Sequence, residues 1–224
     1  MENALETPTL DPPASGASSH EAPAVMGKSE RRRQAILVVA RELFQAQGYA
    51  ATSMSEIAAR LGGSKGTLYN YFRSKEELFA AFMQDNCQVG ADEVFQNLGP
   101  AGEDLRRALT ELGMNFMTFL LKPETMAVHR LVVAEGERFP ELGRIFYEAG
   151  PKRGQESLVK FFGPLIEQGR MRPGDPLEVS RWFKDILLAN IYNRKLWGVI
   201  DTLTPEETRA HVDKAVEVFL AAFG

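Results

Sequence analysis

Apolar residues along the chain recur three and four positions apart and no stretch alternates with a period of two, so the pattern predicts helices throughout. A first helix over 29–47 sets Ile36, Leu37, Ala40, Leu43 and Phe44 on one stripe and stops at Gly48. The next starts are written in polar residues. Ser53 precedes Glu56 and Ser74 precedes Glu77 at the spacing of a capping box, and Leu61-Gly62-Gly63-Ser64 reads as a helix end, a tight turn and a new capped start. Within this stretch Leu68 and Phe72, four apart, point inward with Ile57 and Leu61.

Beyond Lys75 a long helix is expected to about residue 97, with Leu78, Phe79, Phe82 and Met83 inward, followed by a break at 98–102. Further helices are expected over 103–121, 123–139, and 140–169 with a bend or interruption at Gly150-Pro151. After a turn at 172–176 comes a strongly apolar helix over 177–200. Thr204-Pro205-Glu206-Glu207 is a last capping box, opening the final helix. The fold class is therefore all-α.

Two short helices across a glycine turn make a helix-turn-helix, whose second helix enters the DNA major groove. Gly66 and Asn70 fall opposite Leu68 and Phe72, flanked by Thr67, Tyr69 and Tyr71. Glycine costs a helix about 1 kcal/mol relative to alanine, so Gly66 on the outward face implies a partner that approaches the backbone closely. Asn70 can pair with an adenine edge, Thr67 can touch a thymine methyl, and Tyr69 and Tyr71 reach phosphate oxygens. Lys75, at the start of the next helix, is expected to hold a phosphate together with free N–H groups. Arg31, Arg32 and Arg33 oppose the dipole of the first helix, a cost that makes sense if the cluster faces phosphate.

The run GGSKGTLYNYFRSKEELF resembles the DNA-binding signature of the TetR family of transcriptional regulators, over roughly residues 30–79. Its specific part is Tyr69, Tyr71 and Phe72 followed by Ser74-Lys75-Glu76-Glu77-Leu78. The resemblance implies a three-helix DNA-binding head over 29–79 and a helical regulatory and dimerisation body over 80–224. The candidate DNA-contacting residues are Arg32, Thr52, Ser53, Ser64, Lys65, Gly66, Thr67, Tyr69, Asn70, Tyr71 and Lys75. Residues 126–151 resemble, less closely, the AefR-like subgroup of these regulators.

Charge sharpens this division. The net charge of −4 looks unsuited to nucleic acid. Yet residues 28–75 hold nine Lys or Arg against three Asp or Glu, a local +6, while 1–27 carry −4 and 76–224 carry −6. A basic segment joined to an acidic one fits DNA binding by one part only. Residues 1–28, rich in Pro, Ala, Ser and Glu, are expected to be a disordered tail. The single cysteine, Cys87, permits no intrachain disulfide. No apolar run has the length of a membrane span, and a cytoplasmic protein is expected.

In the body, the segment from 179 to 200 is apolar nearly all round, and the final helix is broadly apolar too. Helices of that kind need covering on more than one side. The resemblance implies a homodimer joined by them, with Ile191, Trp197, Val212, Val216, Phe219 and Phe223 as candidate interface residues. It also implies a small apolar or aromatic effector bound between the helices, whose arrival releases double-stranded operator DNA. Met114, Phe116, Met117, Phe119 and Met126 are candidate walls, with His129, Trp182, Asn190 and Asn193 as polar or aromatic handles. Arg130, Glu135 and Glu137 read as a salt-bridged helix face.

Two other readings stand beside this one. A constitutive or architectural DNA-binding dimer needs no effector. A helical enzyme lacks its parts: there is no glycine-rich phosphate loop, HExxH or G-x-S-x-G, and the three histidines, His20, His129 and His211, are scattered. No cofactor or metal is expected.

Overall fold

A computed structural model of the chain describes residues 27–95 and 104–224. The expected tail, the break at 98–102 and the end of the long helix at 97 lie outside the described residues. Eleven helices and no strand appear among the described residues. The first four are α1 (Lys28–Ala51), α2 (Met54–Arg60), α3 (Lys65–Tyr69) and α4 (Lys75–Phe95). The body adds α5 (Leu105–Leu120), α6 (Pro123–Glu135), α7 (Pro140–Ala149), α8 (Pro151–Glu167), α9 (Pro176–Leu188), α10 (Ile191–Leu196) and α11 (Pro205–Phe223).

Polar caps set the boundaries as the sequence indicates. Ser53, Ser64 and Asp104 each accept an N–H from the first turn of their helix, and Thr204 and Glu207 form the complete reciprocal box. At Ser74 the box is displaced by one residue. Its hydroxyl accepts the Glu77 N–H, but the Glu77 carboxylate reaches the Arg73 N–H at 2.7 Å. Glu56 likewise turns elsewhere and accepts from Gln47 at 2.8 Å.

Two expectations need correcting. The second helix of the helix-turn-helix is one turn shorter than the wheel implies: α3 ends at Tyr69, and Phe72 enters the core from the turn beyond. The apolar segment over 177–200 is not one helix. It breaks at Asn190, whose φ of 64° is left-handed, and resumes as α10.

Buried residues fall into two clusters. One joins α1–α4 to Val128, Leu131, Leu142 and Ala149 of α6 and α7. The other fills the body between α5, α8, α9 and α11, where Phe162, Phe183 and Phe219 meet with ring centroids 5.0–5.5 Å apart.

Candidate functional site

The head's outer face is built by α3 and the turn before it. Ser64 accepts the Thr67 N–H at 3.1 Å, and the two hydroxyls lie 3.0 Å apart. Leu68 is buried beneath, so Ser64, Lys65, Gly66, Thr67, Tyr69 and Asn70 are left exposed together. A Cβ on Gly66 would meet nothing of this chain closer than the Ser64 Oγ at 3.7 Å. Glycine there is not required by the chain's own packing.

Other members of the expected DNA set are placed differently. Ser53 is exposed at the start of α2, while Tyr71 is half-buried against the core. Thr52 is 1% exposed, its hydroxyl donating to the Gly48 carbonyl at 2.8 Å, and has no surface to offer a phosphate. Arg32 leans over the turn, its guanidinium donating to the Leu61 carbonyl and filling the space beside Gly63. Arg33 lies over the Phe72 ring at 5.4 Å. Both arginines thus touch the head's own turn and core, where a phosphate-facing cluster was expected.

Lys75 departs most from expectation. Its ammonium donates to the carbonyls of Tyr49 and Thr52 at 2.8 and 2.9 Å and sits 4.2 Å from the Tyr49 ring centroid. It ties the corner between α1 and α2 to the start of α4, and its partial burial lowers its pKa. Tyr49 is the buried post of this corner. Its hydroxyl donates to Glu76 at 3.0 Å, and burial pushes its pKa well up. The corner exists because α1 kinks at Gly48, with φ 85° and ψ 169°, three residues before its end.

In the body a cavity of about 290 Å³ lies between α4, α5, α6, α8 and α9. Phe116, Phe119 and His129 of the expected set line it. Met117 and Met126 do not; both are fully buried in packing elsewhere. Trp182 is 50% exposed, and Asn190 and Asn193 are exposed outside the cavity. Those two asparagines sit at the α9–α10 break, which a continuous helical wheel could not reveal.

The polar lining comprises Asn86, Thr125, His129, Arg153, Gln155, Lys184 and Tyr192. His129 Nδ1 is 2.8 Å from the Tyr192 hydroxyl, and burial holds its pKa down to about 4, so the ring is neutral at pH 7. The Gln155 Nε2 is buried without a hydrogen-bond partner. Arg153, Gln155 and Lys184 escaped sequence reasoning; the one available signal was the Gly150-Pro151 interruption, which brings the start of α8 to the cavity.

Cavity and head are joined through α6. Thr125, Val128 and His129 line the cavity, while two turns on Glu135 accepts the Ala50 N–H at 3.1 Å. Just past α6, the Phe139 ring meets the Tyr49 ring edge-on at 5.2 Å. Arg130 donates to the carbonyls of Lys195 and Leu196 at the end of α10. Arg130 and Glu135 thus work as fasteners between elements, where a salt-bridged face was expected.

The expected interface residues are largely internal to the chain. Val212, Val216 and Phe219 are fully buried and Ile191 nearly so, because α5 and α9 already cover the inner side of α11. Val212 packs on Gly113 so closely that a Cβ there would lie 2.8 Å from its methyl. Phe223 is partly buried on the same core, and only Trp197, 70% exposed, remains open. Val199 and Val218, outside the expected set, are exposed as well.

An all-helical chain with a helix-turn-helix head, a polar exposed face on α3 and a cavity fastened to that head defines a DNA-binding regulator. Residues 36–82 match the model for bacterial regulatory proteins of the tetR family, and 107–224 match the C-terminal domain of AefR-like transcriptional repressors. The chain belongs to the TetR family of transcriptional regulators. The repressor AcnR of Corynebacterium diphtheriae is 33% identical over 167 residues, 75% of this chain and 82% of its own. The activator FasR of Mycolicibacterium smegmatis is 40% identical over 85 residues, 37% of this chain and 38% of its own. Among solved structures, a TetR-family regulator from Mesorhizobium loti has a TM-score of 0.79 at 31% identity, covering 89% of this chain and all of its own. The flavonoid-responsive regulator FrrA has a TM-score of 0.77 at 29% identity, covering 87% of this chain and 97% of its own. These relatives are transcriptional regulators rather than enzymes.

Proposed function

We propose that the protein is a cytoplasmic, dimeric repressor that reads a pseudo-palindromic operator with the exposed face of α3 and is released by a small apolar or aromatic effector. The observation that carries this reading is α6, which lines the cavity with His129 at one turn and holds the head's Ala50 N–H with Glu135 at another. A ligand that shifts α6 therefore moves the head, and a dimer's two α3 helices fit their half-sites only at one separation. The flavonoid response named for FrrA supports an aromatic effector here, as do the Phe116, Phe119, Phe146 and Phe183 walls. By linkage, the effector binds the free protein more tightly than the DNA complex.

The test is operator affinity by fluorescence anisotropy at fixed salt, with and without a compound that binds the cavity, for wild type and Glu135→Ala. Release should weaken in the variant while its affinity for the compound holds. A compound that fills the cavity and leaves wild-type operator affinity unchanged would show a plain dimeriser instead.

A further inference from the structure

We infer that the effector is an organic carboxylate, an apolar ring or chain whose single anionic end is held at the first turn of α8 by Arg153, Gln155 and Lys184. This rests on the reading of the cavity as the sensor site. Among the described residues the lining contains two cationic side chains and no Asp or Glu. Lys184 has a carboxylate neighbour in Asp185 at 3.1 Å, whereas Arg153 has no ion-pair partner among the described residues.

The backbone has the same polarity. Gly150, Pro151, Arg153 and Gly154 line the cavity, so the positive end of the 17-residue α8 faces it. Gly150 provides no side-chain cap, and the first turn holds no acidic residue. The first intrahelical bond runs from Gly154 N to Gly150 O, which leaves the N–H groups of Lys152 and Arg153 ahead of it. Gln155 adds a side-chain donor that is buried and unpaired, and a buried donor of that kind calls for an acceptor. These donors and cations line a cavity whose other walls are largely apolar, with Asn86, Thr125, His129 and Tyr192 as neutral polar groups. A neutral ligand would offer the Gln155 donor and the exposed Arg153 no carboxylate, and a cation would be repelled by Arg153 and Lys184.

Binding of the full chain is measured by calorimetry with matched probes: 2-naphthoate and decanoate, their neutral counterparts 2-naphthylmethanol and decanol, and decylammonium. At least one carboxylate should bind about tenfold more tightly than its alcohol, and the ammonium should not bind. Which of the two binds separates a ring from a chain. Arg153→Gln should narrow the advantage to about threefold, and Arg153→Lys should retain it. The inference is overturned if the alcohols match the carboxylates, if the ammonium binds, or if neither carboxylate binds. Operator release is read on the same samples. A carboxylate that binds without releasing DNA removes the sensor reading and leaves this inference standing; release by an alcohol that binds as tightly as its carboxylate, or by the ammonium, does the reverse.

Discussion

At Gly66 the needs of the chain and those of its partner separate. Nothing within the chain crowds this position, and the residue lies inside a helix where alanine is preferred. Gly66→Ala is therefore expected to stabilise the free protein by about 0.5–1 kcal/mol, read from its denaturation midpoint. The same change should weaken operator binding at least about tenfold, because the added methyl stands where DNA backbone must approach. Unchanged operator affinity would remove Gly66 from the interface.

His129 gives a second test at this scale. Its pKa is depressed from 6.5 to about 4 by burial, so between those values the unfolded chain binds the extra proton and the folded one does not. The stability due to the neutral ring is complete above pH 6.5 and is lost as pH falls towards 4, a loss on the order of 2–3 kcal/mol. Urea titrations at pH 7 and 4.5 should show wild type losing that much more than His129→Phe. Equal losses would mean that the imidazole is not shielded from water.

Among the elements, the corner at Gly48 is where the head is fastened to α6 of the body. Its φ of 85° and ψ of 169° lie in a region that only glycine occupies comfortably, and a Cβ would lie 2.7 Å from the Glu135 Oε1 that holds the Ala50 N–H. Gly48→Ala should cost about 1–3 kcal/mol in stability. It should also weaken release by effector, since strain and clash fall on the same contact. Stability within about 0.3 kcal/mol of wild type would show that the corner relaxes freely.

The elements also show what was legible in the sequence. Caps and glycines are local, and Ser53, Ser64, Gly48 and Thr204 mark helix ends from their own neighbourhood. Leu68 and Phe72 were placed inward correctly although Phe72 lies beyond the end of α3. Lys75 was not legible as a tie, because its acceptors are carbonyls more than twenty positions earlier. The cavity was legible only in its aromatic walls. Its charged end depends on where a helix start is delivered by the fold, and the methionines with it in the sequence pattern were taken up by the core.

For the whole molecule, the proposed dimer would rest on what α9–α11 leave uncovered. Trp182, Trp197, Val199 and Val218 are exposed, while the stripe that looked available on α11 is used within the chain. Val218→Glu and Trp197→Glu are expected to convert a dimer to a monomer in sedimentation experiments, without loss of helical content. A dimer that survives both substitutions would place the interface elsewhere.

In the proposed function two sites share one equilibrium: α3 reads DNA, and occupancy of the cavity sets whether it can. It is tested most directly by selecting genomic fragments on the purified protein at fixed salt, with and without a panel of apolar and aromatic compounds that includes carboxylates. A palindromic site should be enriched, and one compound class should abolish its recovery. Recovery of a palindrome that no cavity-binding compound affects, or of no common site at all, would contradict it.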